Sequence, residues 1–258
     1  TSTLPISDLA KASRNSSNFI GIHFFSPVNK MSLVEIIRGK DTQDLAVGKA
    51  LNYVMQIKKT PIVVNDARFF YANRCIIPYI NEGVKMVSEG IEPALIENGA
   101  KLLGMPVGPL QLIDETSIDL ANQIAIATKA ALGKGYQEEA SDEIVKFMVK
   151  NNRLGRKVNA GFYEYNDKGR RQNLWRGLQP KWPLKQIQPN VEEIKTRLGL
   201  IQALEAVRAL EEGVLTNVRE GDVGAILGWG CLPWAGGPFG WLDIVGIEPI
   251  VKICKKFS

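Results

Sequence analysis

One helical segment occurs twice in this chain. "RCIIPYINEGVKMVSEG" (Arg74–Gly90) aligns without a gap on "RLGLIQALEAVRALEEG" (Arg197–Gly213), and both have helical spacing of apolar residues. Both end in glycine, the residue that favours the position just after a helix. A shorter pair comes later in each copy, "GPLQLID" (Gly108–Asp114) and "GPFGWLD" (Gly237–Asp243). The recurrence predicts two helical units of one design.

The two copies share their charged positions. An arginine and two glutamates match in each copy, as Arg74/Arg197, Glu82/Glu205 and Glu89/Glu212. We interpret these residues as structural ion pairs within each unit rather than as catalytic groups.

The first sixty-odd residues have a different character. Runs rich in Ile and Val predict strands at Phe19–Phe25, Leu33–Ile37 and Pro61–Val64. Between the last two, Thr42–Lys58 has one apolar face and predicts a helix, with Asp41 or Thr42 as its cap. This order of strand, helix and strand is typical of a crossover in an α/β sheet.

These patterns predict a mainly α protein with a small α/β part. We expect an α/β segment at 1–65, a first helical unit at 66–166 and a second at 191–258. The segment 167–190 is polar and rich in proline, so we expect it to be a linker.

Composition excludes several kinds of site. The three cysteines are scattered without C-x-x-C spacing, so neither a disulfide framework nor a zinc site is predicted, and a reducing compartment is expected. A single histidine excludes a His-rich metal site. The net charge of +5 fits a solvated basic surface or an anionic ligand such as a nucleotide or CoA, and both remain open. Aromatic residues are not interleaved with the basic clusters, so nucleic acid is not an expected partner.

The single histidine, His23, lies inside an apolar run, and Glu35 lies inside the next one. A buried carboxylate is costly without a partner. If the two strands are neighbours, an imidazole–carboxylate pair forms that could act as a general base or could simply be a satisfied core pair.

A family resemblance favours the catalytic alternative. "HFFSPV" and "MSLVEII", preceded by "TSTLPIS" and followed by "VVNDARFFYANR", resemble the catalytic portion of the 3-hydroxyacyl-CoA dehydrogenases. The tandem repeat further resembles the alpha chain of multifunctional fatty-acid β-oxidation enzymes. The resemblance implies the C-terminal remnant of a Rossmann-type NAD-binding domain, followed by two repeated helical C-terminal units of this family.

The resemblance also implies roles for individual residues. His23 would take the proton of the substrate 3-hydroxyl while hydride leaves C3 for NAD, and Glu35 would orient His23. Ser2 would hydrogen-bond the reacting oxygen beside the cofactor, and Asn73 would help to hold the substrate.

The remaining implications concern cofactor, partners and location. Ser26 and Lys157 match positions beside NAD. The substrate would be an (S)-3-hydroxyacyl-CoA, oxidised to 3-oxoacyl-CoA. A homodimer or a complex with a thiolase subunit would be expected, in the bacterial cytoplasm or the mitochondrial matrix.

The sequence departs from the family pattern in two places. The family usually has glycine where this chain has Phe69; if that glycine serves a turn with positive φ, a different local backbone is expected here. No G-x-G-x-x-G loop occurs, since "GWGCLP" and "GKGYQE" both fail the pattern. We therefore expect this chain to be a fragment without the pyrophosphate site.

Other functions remain open at this point. The chain by itself could be a non-enzymatic helical dimerisation module or an acyl-CoA-binding module. Another dehydrogenase class with a helical C-terminal half, the 6-phosphogluconate type, fits less well because it lacks the His–Glu pair at this spacing.

Overall fold

A computed structural model describes residues 3–257 of the chain. The helices in this range are α1 Ile6–Ala10, α2 Asp44–Gln56, α3 Ala72–Ser88, α4 Pro93–Leu103, α5 Pro109–Thr116, α6 Ile118–Leu132, α7 Ala140–Lys150, α8 Val191–Glu211, α9 Val218–Trp229, α10 Pro238–Val245 and α11 Ile247–Phe257. The strands are β1 Gly21–Phe24, β2 Leu33–Arg38, β3 Thr60–Asn65, β4 Tyr163–Tyr165 and β5 Arg171–Leu174. Among these described residues, no helix combines the length and apolar character needed to cross a bilayer.

The chain forms two compact units. The first combines Thr1–Ile77 with Gly199–Ser258, and the second is Pro78–Leu198. Helix α3 begins in the first unit and ends in the second, and α8 runs from the second back into the first. The boundaries of the compact units therefore differ from those of the predicted segments, because the last helices of the chain pack with its N-terminal part. The predicted domain boundaries stay a prediction.

The N-terminal sheet contains the expected crossover. Strand β2 pairs in parallel with β3 after helix α2, and β1 pairs antiparallel with β2. The predicted cap is wrong, because α2 begins after Gln43. The hydroxyl of Thr42 is engaged elsewhere: it donates to the Phe19 carbonyl at 2.6 Å and accepts from the Gly39 N–H at 3.0 Å.

The two faces of this sheet carry different residues. Helix α2 covers one face, where Val34 and Ile36 form a buried cluster with Ala50 and Val54. Because side chains alternate along a strand, Leu33 and Glu35 of β2 point the other way. Helix α9 packs on β2 and β3, and a Cβ at Gly228 would lie 2.7 Å from the Leu33 side chain. Helix α9, from the C-terminal part of the chain, thus covers the sheet face that carries Glu35.

Residues 167–190, the predicted linker, contain regular structure. Strand β5 pairs antiparallel with β4, and Leu178 is buried. The Trp182 ring packs edge-on against Phe147 with their centroids 5.4 Å apart. The polar and proline-rich composition gave no indication that Leu178 and Trp182 pack in this way. The segment belongs to the second unit.

The arginines of the repeat form ion pairs, but not within their own copy. Arg74 donates through Nε to Glu205 at 3.1 Å and through its terminal nitrogens to Glu212 at 2.6 and 2.8 Å. Arg197 uses the same atoms, with Nε at 2.6 Å from Glu82 and the terminal nitrogens at 2.7 and 2.8 Å from Glu89. Each arginine therefore pairs with the glutamates of the other copy, which corrects the predicted pairing.

The helix pairs α4–α5 and α9–α10 share a capping arrangement. Glu97 of α4 accepts a hydrogen bond from the Leu110 N–H of α5 at 2.8 Å. Asp222 of α9 accepts one from the Phe239 N–H of α10 at 2.9 Å. In both cases the first N–H groups of a helix, which lack intrahelical partners, are satisfied by a carboxylate.

We predict that these two helix pairs superpose, with Glu97 matching Asp222. Superposition of α4–α5 on α9–α10 in a crystal structure of the chain checks this prediction. Clearly different interhelical angles in the two pairs would show that the repeat does not extend beyond sequence.

A buried carboxylate joins α5 to the β4 hairpin in the second unit. Asp114 is 1% exposed and accepts hydrogen bonds from the N–H groups of Phe162 at 2.7 Å and Tyr163 at 2.9 Å, and from the Tyr165 hydroxyl at 3.0 Å. Burial raises the pKa of Asp114 from 3.8 to about 6, although these hydrogen bonds act in the opposite direction.

This raised pKa predicts a pH-dependent stability. The folded state binds the proton more tightly than the unfolded state, so the contribution of Asp114 is fully present below its unfolded pKa and is lost as pH rises through about 6. Relative to Asp114→Asn, the wild type should gain free energy of unfolding, on the order of 1–3 kcal/mol, between pH 7 and pH 4. Urea titrations of both proteins measure this difference, and a constant or opposite difference would contradict the prediction.

Candidate active site

His23 and Glu35 face each other across the first two strands. The register pairs His23 of β1 directly with Glu35 of β2. Their side chains meet with the His23 Nδ1 2.6 Å from the Glu35 Oε2. Both residues are buried, at 7% and 0% exposed. The predicted imidazole–carboxylate pair is therefore present in the fold.

The second oxygen of Glu35 is held by the start of helix α3. The Oε1 atom accepts from the Tyr71 N–H at 3.1 Å and from the Ala72 N–H at 2.9 Å. N–H groups at a helix start lack intrahelical partners, and the helix dipole favours a negative charge there. Glu35 therefore acts as an acceptor on both oxygens, so His23 donates from Nδ1. In the neutral imidazole, the lone pair then lies on Nε2, where a base would need it.

Two aromatic rings lie close to the imidazole. The Phe25 ring centroid lies 4.9 Å from that of His23, and the Phe70 ring centroid lies 5.8 Å from it. Phe70 is fully buried and Phe25 is 8% exposed. The His–Glu pair is thus buried beside apolar rings, and electrostatic interactions are stronger in an environment of low dielectric constant.

Two consecutive phenylalanines form the turn that leads into α3. Phe69, where the family resemblance implies glycine, has a left-handed conformation with φ of 70°, and Phe70 follows with φ of 54°. Whether the backbone differs here from that of the family stays a prediction. A bulky residue with positive φ costs about 1–3 kcal/mol and persists only where its surroundings fix it.

The other predicted site residues have varied positions. Asn73 is partly buried in the first turn of α3, and Ser26 is exposed two residues after β1. Lys157 belongs to the second unit, where its Nζ lies 2.6 Å from both carboxylate oxygens of Asp119. Ser2 lies outside the described residues. The roles assigned to these four residues stay predictions.

Sequence reasoning missed the groups that hold Glu35. The donors are backbone N–H groups of Tyr71 and Ala72, which any residue type except proline could supply. A signal was present, since the buried carboxylate needs more than one partner and a helix start follows Asp66. Nothing in the sequence except their apolar character indicated that Phe25 and Phe70 lie beside His23.

Comparison with known proteins identifies two family models along the chain. A model described as "3-hydroxyacyl-CoA dehydrogenase, NAD binding domain" matches residues 1–67. A model described as "3-hydroxyacyl-CoA dehydrogenase, C-terminal domain" matches residues 70–165. The junction between the matches lies at the turn that precedes α3.

Solved structures of dehydrogenases are also similar. The dehydrogenase part of multifunctional enzyme 1 from C. elegans is 31% identical, with a TM-score of 0.64, and the match covers 89% of this chain and 53% of that one. The (S)-3-hydroxybutyryl-CoA dehydrogenase of Ralstonia eutropha is 34% identical, with a TM-score of 0.60, over 65% of this chain and 59% of that one. The 3-hydroxybutyryl-CoA dehydrogenase of Escherichia coli shares the fold at 20% identity, with a TM-score of 0.76, over 100% of this chain and 70% of that one.

This chain spans little more than half of the C. elegans and Ralstonia proteins. Within that span, the two family models follow each other in order and together match more than half of the chain. The His–Glu pair lies in the part matched by the NAD-binding domain. The chain therefore belongs to the 3-hydroxyacyl-CoA dehydrogenase family.

Proposed function

We propose that this chain supplies the acid–base part of an NAD-dependent dehydrogenase that oxidises (S)-3-hydroxyacyl-CoA to 3-oxoacyl-CoA. The observation that carries the proposal is the buried His23–Glu35 pair, with Glu35 fixed on two N–H groups of α3. The pair also lies within the motifs that resemble the catalytic portion of this family. The (S)-3-hydroxybutyryl-CoA dehydrogenase of Ralstonia supports this choice of substrate class.

The family model of the NAD-binding domain implies NAD as the cofactor. The residues present fit its reacting end, because His23 is a buried imidazole whose Nδ1 is held by Glu35. They do not include a Gly-rich loop for its phosphates. When bound, NAD accepts the hydride that leaves C3 of the substrate.

The chain's own residues would handle the proton. The Nε2 atom of His23 takes the proton of the 3-hydroxyl, and the C3–O bond becomes a carbonyl. The imidazolium that forms is stabilised by Glu35, whose Oε2 lies 2.6 Å from Nδ1. The pair is buried beside Phe25 and Phe70, which strengthens this interaction.

We further propose that the chain works within a longer multifunctional protein of fatty-acid β-oxidation. The similarity to the dehydrogenase part of the C. elegans multifunctional enzyme supports this context. A homodimer or a complex with a thiolase subunit, in the bacterial cytoplasm or the mitochondrial matrix, would suit such a protein. We use the term complete enzyme for this proposed longer protein, which would contain a dinucleotide-binding loop in addition to this chain.

The direct experiment is NADH formation by the complete enzyme with 3-hydroxybutyryl-CoA as substrate. Saturable NADH formation is expected. If acyl-CoA binds without any NAD reduction, the alternative of a non-enzymatic acyl-CoA-binding module is correct instead. That alternative is favoured only by the absence of the Gly-rich loop from the sequence.

The 258-residue chain by itself is expected to form no NADH above background. Hydride transfer needs the nicotinamide held against C3, and this chain lacks the loop that would hold the cofactor's phosphates. The same assay checks this, with the complete enzyme as the positive control. Steady turnover by the isolated chain would show that other residues bind the cofactor.

A further inference from the structure

The turn before helix α3 has a consequence for the His–Glu pair. Phe69 and Phe70 are consecutive, neither is glycine, and both have positive φ. The next two residues, Tyr71 and Ala72, direct their N–H groups at Glu35 Oε1. The left-handed turn therefore determines where these two donors lie.

The turn is fixed by contacts on both sides. Before it, the Phe69 N–H donates to the Thr3 carbonyl at 3.3 Å and the Phe70 N–H donates to the Ala67 carbonyl at 3.2 Å. The Phe70 side chain is fully buried. These contacts leave the two phenylalanines little freedom to move to negative φ.

Tyr71 fixes the other side of the turn. Its side chain is fully buried, and its hydroxyl donates to the Gly221 carbonyl of α9 at 3.0 Å. Its ring packs edge-on against Trp229, with the centroids 5.5 Å apart. Helix α9 therefore holds the residue whose own N–H binds Glu35.

We propose that Phe69 and Tyr71 are positioning residues for the His23–Glu35 pair. The left-handed backbone at Phe69 forms the turn, and Tyr71 clamps the turn to α9. Together they keep Glu35 on its two N–H donors and so keep His23 protonated on Nδ1 with Nε2 unprotonated. The catalytic consequence rests on the proposed function, but the positioning can be measured in the chain without substrate or cofactor.

The experiment uses the imidazole itself as the probe. The chain has one histidine, so the ¹⁵N and Nδ1-proton resonances of His23 are unambiguous in NMR spectra of the 258-residue chain. The hydrogen-exchange rate of the Nδ1 proton reports how firmly Glu35 holds the ring. A failure of the proposed function would leave these signals unchanged, so the two ideas are tested separately.

Three substitutions separate the turn from general destabilisation. Phe69→Val introduces a β-branched residue that disfavours positive φ, whereas Phe69→Gly permits it. Lys58→Val is the matched control, since Lys58 has φ of 59° in the same unit and is exposed at the end of α2. We expect Phe69→Val to lose the protected Nδ1 signal, and both Phe69→Gly and Lys58→Val to keep it.

Tyr71→Phe tests the clamp even if Phe69→Val fails to fold. It removes only the hydroxyl that binds the Gly221 carbonyl, and we expect about tenfold faster exchange of the Nδ1 proton, as for the loss of one hydrogen bond. Unchanged exchange in Tyr71→Phe would overturn the proposal. So would a folded Phe69→Val chain with a wild-type signal, or an equal loss of signal in Lys58→Val.

Discussion

Replacing His23 by glutamine is expected to slow hydride transfer in the complete enzyme by about 10²–10⁴-fold, the usual contribution of a general base. Glutamine has no basic lone pair to take the hydroxyl proton. Its amide can still contact Glu35, so the change should alter the substrate KM far less than kcat. Single-turnover NADH formation measures the chemical step directly.

A core role for His23 makes the opposite forecast. In that case His23→Gln would lower the melting temperature, while the folded fraction would keep near-normal turnover. Thermal melts recorded beside the single-turnover rates distinguish the two outcomes. The His23 side chain packs near the Phe25 and Phe70 rings, so some loss of stability is compatible with either account.

Replacing Glu35 by glutamine is the second large effect that we expect. The amide oxygen can accept from the Tyr71 and Ala72 N–H groups, which leaves the amide NH₂ facing His23 Nδ1. The imidazole would then accept at Nδ1 and carry its proton on Nε2, which is the wrong tautomer for a base. Such a change in a buried His–carboxylate pair is expected to cost about 10²–10⁴-fold in kcat.

The chain offers a matched control for this change. Glu220 is a partly buried glutamate in the same unit, and its carboxylate accepts from the Val63 N–H at 3.3 Å. Glu220→Gln should leave the rate within about twofold of wild type, because this hydrogen bond does not involve His23 or Glu35. Equal losses in Glu35→Gln and Glu220→Gln would indicate a general effect on folding instead.

The sequence predicted the sheet and the His23–Glu35 pair because both depend on local patterns. Alternating or continuous apolar runs mark the strands, and a buried carboxylate must find a partner. The register that pairs His23 with Glu35 follows once β1 and β2 are neighbours. The pattern could not predict that the start of α3 binds Glu35. The donors, such as the Tyr71 N–H, are backbone groups that do not depend on residue type.

The sequence also could not predict which glutamates each arginine of the repeat pairs with. Arg74 and Arg197 each had equivalent glutamates in both copies, and nothing in residue type distinguishes the near copy from the far one. The choice depends on which parts of α3 and α8 share a compact unit: Glu205 belongs with Arg74, and Glu82 belongs with Arg197.

The turn at Phe69 could not be predicted from residue type. Glycine is the residue that takes positive φ at least cost, so positive φ is not expected at a phenylalanine. The buried Phe70 and the clamped Tyr71 instead hold the left-handed conformation. Tertiary contacts thus outweighed the local preference, as they do at sites that the surrounding structure over-determines.

The measurement that tests the central claim most directly is a double-mutant cycle on single-turnover NADH formation by the complete enzyme, with His23→Gln, Glu35→Gln and the double variant. Because both residues act on one proton transfer, the double variant should be no more than about threefold slower than His23→Gln alone. Losses that multiply, or a folded His23→Gln enzyme with a wild-type rate, would contradict the account.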